Sequence, residues 1–211
     1  MAAFFGNLRN VVIAGFVLAA LVFVLYWKLA TANGGEIAPI ALEWFFLRWL
    51  HIICGVMWIG LLWYFNFVSA PTMPKIPAEL KPALGKYITP AALFWFRWSA
   101  MGTIVLGVIF ALRQHYLLEA FSFNLLGDPA MHDTKTLIIG IGMWLGTIMW
   151  FNVWFVIWPN QQKALNIGDK YASLDAAAKA ASAATAGMFS RINTMLSIPM
   201  LFCMVGAAHL A

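Results

Sequence analysis

The stretch from Val11 to Leu29 reads VVIAGFVLAALVFVLYWKL and carries one charged residue, Lys28. About 20 predominantly apolar residues in a helix cross the hydrocarbon core of a bilayer, which is about 30 Å thick. The stretch exceeds the roughly 7–15-residue apolar region of a secretory signal peptide, and the following TANGG at 31–35 is a weak match to a cleavage site. We therefore expect this stretch to be a retained membrane-spanning helix.

The rest of the chain repeats this composition. Of 211 residues, 63% are hydrophobic and 10% charged, whereas soluble domains are roughly half apolar and a quarter charged. This excludes a soluble enzyme and predicts an all-α integral membrane bundle of about five transmembrane helices, in a single transmembrane domain over residues 1–211. We expect spans at about 10–30, 43–69, 91–117, 135–159 and 190–210, with the Ala-rich segment 173–187 continuing as helix into the fifth. No internal repeat is evident.

The basic residues indicate how the chain crosses the membrane. Loops and helix ends on the N-terminal side carry most of them, namely Arg9, Lys75, Lys81, Lys86, Lys163, Lys170, Lys179 and Arg191. The other side carries Lys28, Arg48, Arg113 and Lys135. By the positive-inside rule we expect a cytoplasmic N-terminus and a periplasmic C-terminus in a bacterial inner membrane. The lipid bilayer is the expected surrounding, and no nucleic-acid partner is expected.

The four histidines, His51, His115, His132 and His209, all fall toward the predicted outer side. His51 has the most informative neighbours, because Arg48 and Gly55 share its helix face. A histidine can ligate heme iron, a glycine one turn away leaves room for a flat macrocycle, and an arginine can pair with propionates. The alternative is structural: Arg48 snorkels to the headgroups, His51 makes an interhelical hydrogen bond and Gly55 is a packing notch.

A heme b held by His51 needs a second axial ligand from another helix. His209 is the first candidate and His115 the second, while His132 beside Asp133 is expected at the surface, with a proton relay as an alternative. Binding of copper without a porphyrin is the alternative, but the methionines form no tight cluster that would favour it. The chain has no CxxCH motif for covalent heme, and Cys54 and Cys203 lie in apolar runs as expected of small buried hydrophobic residues.

A second set of polar residues lies toward the inner side. Arg97 sits among Trp95, Phe96 and Trp98, and the other members are Asn66, Asn152, Arg191 and Asn193. These side chains are candidates for a site that binds an anionic substrate or a quinone headgroup, or for a proton path, with Arg97 and Asn152 as catalytic candidates. The alternative for Asn66 and Arg191 is anchoring of the helix ends.

Three segments resemble the membrane domain of the bacterial cytochrome-c-type urate oxidases. They are RWLH at 48–51 with WIG at 58–60, NVWFVIWPNQ at 152–161, and SRINT at 190–194 followed by LSIP at 196–199 and His209. FWFRW at 94–98 resembles a family segment more loosely. The resemblance covers about residues 43–210. It implies oxidation of a small substrate at the membrane, with electrons passed to cytochrome c.

Three departures from the family shift the expected function. The sequence is shorter than full-length family members and we expect a short form without the cytochrome c domain, Ile192 stands where family members tend to carry histidine, and Ser99 stands where they tend to carry an acid. We therefore expect a membrane-embedded heme b redox protein, or an oxidoreductase membrane subunit, that exchanges electrons with a periplasmic cytochrome c or a larger membrane redox complex. The alternatives are a membrane oxidase of a small substrate such as urate, and a cofactor-free structural or assembly subunit of a respiratory or photosynthetic complex.

Overall fold

The computed structural model describes residues 2–32 and 34–209. It is all-helical, with no strand among these residues. Five helices are long and apolar enough to span a membrane: α1 (Leu8–Thr31), α2 (Pro39–Lys75), α3 (Lys81–Arg113), α4 (Thr134–Leu165) and α5 (Ala176–His209). The expected fold class is confirmed, and the chain is a multi-pass membrane protein. At 1.5 Å per residue the 34 residues of α5 extend about 50 Å, longer than the hydrocarbon core.

The chain divides into two compact units, Met1–Phe45 and Phe46–Ala211. In the first unit, α1 begins at an Asn7 cap whose side chain accepts from the Arg9 N–H at 3.0 Å. No described side chain of α1 is buried, as expected of a helix that is apolar all round. The second unit contains the rest of α2 together with α3, α4 and α5.

Three helices of the second unit contain π-helical stretches, where the chain makes i→i+5 hydrogen bonds. These are Tyr64–Ser69 in α2, Leu84–Ile88 in α3 and Asn152–Ile157 in α4. Such stretches are rare and are enriched at functional sites. Two of the three contain an asparagine, Asn66 or Asn152, that forms a hydrogen bond to α5.

The helix ends follow ordinary capping chemistry. Asp133 caps α4 by accepting the Thr136 N–H at 2.6 Å. The helix ends at Leu165, and the next residue, Asn166, caps it in the left-handed conformation with φ +51°. We call the end of the second unit where α3 ends, α4 begins and α5 ends the histidine end, and the opposite end the lysine end.

The core of the second unit lies where α5 packs on α4 and on the π stretch of α2. Its largest fully buried side chains are Trp58, Leu62, Met149, Val153, Asn193 and Ser197. Close approach depends on small residues: a Cβ on Gly142 would lie 3.0 Å from the Cβ of Cys203. A Cβ on Gly140 would meet the backbone of Ala120, in the short helix Leu117–Phe121, with 2.9 Å to the carbonyl carbon.

We predict that Gly140→Ala destabilises the protein, because the backbone of Ala120 can make room only if the short helix moves. Overpacking of this kind costs about 1–3 kcal/mol. Gly146→Ala is the matched control, since a Cβ there meets nothing within 4 Å and alanine is favoured over glycine in a helix. Thermal unfolding in detergent should show a lower midpoint for Gly140→Ala alone. Equal midpoints for both variants would refute the packing argument.

Candidate functional site

His51 lies on the face of α2 that contacts α3, and its side chain is half-buried. Its Nδ1 lies 2.8 Å from the carbonyl oxygen of Thr103. Because a carbonyl only accepts hydrogen bonds, Nδ1 must carry the hydrogen. In the neutral ring Nε2 then keeps its lone pair. A backbone carbonyl that fixes the tautomer in this way is typical of metal-ligating histidines.

The room for the His51 ring comes from α3. A Cβ on Gly107 would lie 3.0 Å from His51 Cε1 and 3.1 Å from Nδ1, so a larger residue there would push the ring away. Gly55, the expected notch for a macrocycle, instead faces Thr103, whose Cγ2 would lie 3.9 Å from its Cβ. Sequence reasoning missed Thr103 and Gly107, and only the antiparallel register of α2 and α3 identifies them.

Arg48 lies one turn from His51 toward the histidine end. Its guanidinium carbon is 4.9 Å from the centre of the Phe110 ring, a cation–π contact. Tyr116 follows α3, and burial raises the pKa of its hydroxyl to about 12 although the charge of Arg48 opposes the shift. Arg48 and His51 therefore both contact α3, and the pairing of Arg48 with a heme propionate stays a prediction.

His209 and His51 lie at the same depth. The Trp63 indole N–H donates to Ser197 Oγ at 3.0 Å. From this bond, twelve residues along α2 lead to His51 and twelve along α5 lead to His209, about 18 Å in each case. Their faces differ, because the exposed His209 shares a face with Phe202 and Val205, opposite the buried face of α5. The structure does not bring the two rings together.

The other two histidines lie beyond the helices. His115 is exposed at the end of α3, in the left-handed region with φ +59°. It is eight residues past Gly107, or about 12 Å along the helix axis. His132 lies in the loop with its Nε2 3.2 Å from the Leu126 carbonyl oxygen. No cluster of three or more histidine, cysteine or acidic residues suited to a metal occurs among residues 2–32 and 34–209.

Two sets of amide hydrogen bonds tie α5 to its neighbours, a buried set with α4 and a part-buried set with α2. The Asn152 amide donates to Asn193 Oδ1 at 2.8 Å, and the Asn193 amide donates to the Met149 carbonyl at 2.9 Å. Asn66 donates to Ser190 Oγ at 2.8 Å and to the Leu62 carbonyl at 2.9 Å. The side chain of Asn66 is thus an interhelical tie, which its sequence position alone did not indicate.

The side chain of Arg97 contacts α4 and makes no hydrogen bond with any described residue. Its guanidinium carbon sits 3.4 Å from the ring centre of Trp158 and 5.3 Å from that of Trp154. Trp98 packs edge-on against Trp154, with ring centres 5.4 Å apart. The Nε of Arg97 and the indole nitrogen of Trp154 are buried and find no hydrogen-bond partner within the described part of the chain. Arg97 and Asn152 are thus linked through Trp154, two residues after Asn152, rather than by direct contact.

Glu119 organises the loop at the histidine end. Its carboxylate is buried and accepts the backbone N–H of Asp128 at 2.7 Å. This N–H, together with the backbone N–H of Glu119 itself, holds the pKa of the carboxyl below its ordinary value of 4.5. The pKa of Asp133 is likewise lowered, chiefly by the Thr136 N–H.

Part of the chain matches a known family. Residues 129–211, which comprise α4 and α5, match the family model described as urate oxidase N-terminal. The resemblance found in the sequence is thereby confirmed over this region. Neither a curated protein nor a solved structure matches the chain.

We predict that acid loosens the loop through Glu119. A carboxyl whose pKa is lower in the folded state adds stability above its unfolded pKa, and that stability is lost as the pH falls below about 4.5 through the lowered value. The thermal midpoint in detergent, measured from pH 7 to pH 3, should fall less steeply for Glu119→Gln than for wild type. Glu79→Gln, at an exposed position in another loop, should follow wild type. An identical fall in wild type and Glu119→Gln would contradict the assignment.

Proposed function

We propose that this chain is the membrane module of an oxidoreductase acting on a small planar anion such as urate. The observation that carries the proposal is Arg97, a cation within a membrane-spanning helix that is stacked on Trp158 and has no acceptor among the described residues. An intramembrane ionisable residue points to function by default, because it is costly there. The name of the family that matches α4 and α5 supplies the substrate class.

The energies favour an anion at this position. A charged side chain at the centre of a membrane helix costs about 2.5–3.5 kcal/mol on insertion scales. A cation–π contact returns about 0.5–2 kcal/mol. Stacking on Trp154 and Trp158 therefore offsets much of the cost of Arg97, but it leaves the Nε–H without an acceptor among the described residues. A bound carboxylate or heterocyclic anion would supply the acceptors that the guanidinium lacks, and the indole rings would offer flat faces to a planar ligand.

The surrounding residues suit positioning more than proton transfer. The Asn152 amide N–H is already used by Asn193, and the Asn193 amide by the Met149 carbonyl. Asn152 thus holds the π stretch that carries Trp154 in place. In this proposal Arg97 binds the substrate, the two tryptophans orient it, and Asn152 is a positioning residue. All of these residues except Arg97 lie within the part of the chain that matches the family model.

A heme b at His51 is the second proposed function, and the fixed tautomer of His51 supports it. Nε2 of His51 would be the nitrogen that binds iron, Gly107 leaves room for the imidazole ring, and Arg48, one turn from His51, would pair with a propionate. Heme supplies one-electron transfer when bound. Thr103 is six residues from Arg97, about 9 Å along α3, so the substrate and redox positions are close enough for direct electron transfer.

The direction of electron flow follows from the proposed orientation. With the lysine end at the cytoplasmic face of a bacterial inner membrane, the histidine end faces the periplasm. Electrons leaving the His51 position would then reach a periplasmic cytochrome c. His209 and His115 are the candidates for the second axial ligand, and both require a change of ring position to reach His51.

We predict that Arg97→Ala weakens urate binding about 10- to 100-fold, because a hydrogen bond to a charged group contributes about 1.5–3 kcal/mol. Arg97→Lys should retain part of the affinity, since it keeps the charge but loses the planar fork. The exposed Arg191 offers the control Arg191→Ala, which should bind like wild type. Equilibrium binding of radiolabelled urate to the protein in nanodiscs tests this. Unchanged affinity in Arg97→Ala would refute the site.

We also predict that the purified protein, reconstituted with hemin, shows a b-type Soret band that shifts on reduction. His51→Ala should abolish the band. Gly107→Leu should weaken it by displacing the ring, and His132→Ala should leave it unchanged. Comparing the reduced spectra of His209→Ala and His115→Ala then identifies the second ligand. A colourless wild type after reconstitution, or a band that persists in His51→Ala, would rule out heme ligation by His51.

A further inference from the structure

A short segment of α2 recurs in α4. Residues 57–66 read MWIGLLWYFN and residues 143–152 read MWLGTIMWFN. Five of the ten positions are identical, without a gap: Met, Trp, Gly, Phe and Asn. The structure supports the repeat, because both segments run into π-helical stretches and both asparagines, Asn66 and Asn152, donate to α5. This internal repeat was not evident from the hydrophobic pattern.

The helices that follow the repeated segments also correspond. Arg97, Met101, Ile104 and His115 in and after α3 have the same spacing as Arg191, Met195, Ile198 and His209 in α5. The two arginines differ in their surroundings. Arg97 is covered by two aromatic rings of α4, whereas Arg191 is exposed and finds no acceptor in the described ranges.

The exposed Arg191 lies in a groove on α5. The groove has a volume of about 550 Å³ and is lined by Ala183, Ala184, Gly187, Met188, Arg191 and Met195. Small residues let a neighbouring membrane helix approach closely, and a Cβ on Gly187 would meet nothing within 4 Å. Arg191 in this groove corresponds to Arg97, whose guanidinium is covered by aromatic rings of a neighbouring helix.

An aromatic surface is present on α4 of the same chain. Phe151 and Phe155 are 51% and 58% exposed, and their ring centres are 4.9 Å apart. The Asn152–Asn193 bond places them at the depth of the groove, because α4 and α5 are antiparallel: Phe151 is level with Thr194, and Phe155 with Ser190. Two copies with one orientation in a bilayer would therefore bring these rings level with Arg191.

We infer that the α5 groove of one copy binds the Phe151–Phe155 surface of a second copy of this chain. Arg191 would make cation–π contacts with the phenylalanine rings, whose negative faces complement its charge. The two surfaces are different, so the contact is heterologous, and repetition of it closes into a ring when the rotation between copies allows. The inference does not depend on the proposed substrate or heme.

Crosslinking in native membranes tests the inference. In a Cys54→Ala, Cys203→Ala background, a copy with Phe155→Cys is co-expressed with a differently tagged copy carrying Met188→Cys. A disulfide requires Cα atoms within about 7 Å, so we expect a covalent dimer containing both tags after mild oxidation. The matched control pairs Phe155→Cys with Val205→Cys. Val205 is also exposed on α5, but it lies fourteen residues past Arg191, or about 21 Å along the axis, and should give no dimer.

The mass of the assembly provides the second measurement. Wild type in nanodiscs should be oligomeric, and Gly187→Leu, which fills the groove, should be monomeric while its circular dichroism shows the wild-type helix content. Three results would overturn the inference. The first is that no mixed-tag dimer forms although both cysteine variants keep the wild-type thermal midpoint. The second is that Met188→Cys crosslinks within its own chain. The third is that native mass spectrometry shows a wild-type monomer carrying a phospholipid that Gly187→Leu loses.

Discussion

The hydrogen bond between Asn152 and Asn193 is the interaction on which the second unit depends. Asn193 is fully buried, and an amide without a partner in an apolar environment costs several kcal/mol. The side-chain amide of Asn152 donates to Asn193 Oδ1, and the side-chain amide of Asn193 donates to the Met149 carbonyl. Because these bonds are directional, they fix the register of α4 against α5. The tight contact of Gly142 with Cys203 and the position of the Trp154 ring both follow from that register.

The two candidate positions differ in how their polar groups are satisfied. Nδ1 of His51 donates to the carbonyl of Thr103, which leaves the lone pair of Nε2 for a ligand. Arg97 has aromatic neighbours but no acceptor in the described ranges. The arrangement of His51 resembles that of a metal-ligating histidine, and the arrangement of Arg97 resembles that of a cation in an anion-binding site. Both His51 and Arg97 depend on α3 for their position or contacts, so this helix borders both the proposed substrate position and the proposed redox position.

Much of the fold was predictable because it depends on length and hydropathy. Five spans were expected and five helices are long and apolar enough to cross a membrane, although α2 extends to Lys75, α3 begins at Lys81, α4 continues to Leu165 and α5 begins at Ala176. His51 and Arg97 could be singled out from the sequence as candidates, because ionisable residues are rare in such segments. The contacts of His51 were not, since Gly107 is distant in sequence and becomes a neighbour only through the register of α2 and α3. The pairing of His51 with His209 was inferred from depth alone, and the structure adds that the two rings occupy different helix faces.

The π-helical stretch that begins at Asn152 has a consequence for how this sequence tolerates change. A π stretch is equivalent to one extra residue in an α-helix, and each residue turns the chain by about 100°. The stretch therefore sets the rotational phase of everything after it in α4, including Trp158 against Arg97. Loss of Val156 alone would restore regular helical phase while keeping Arg97, Asn152, Trp154 and Trp158 in the sequence. The indole of Trp158 would then point away from the guanidinium, so in this segment the length of the chain matters as much as its chemistry.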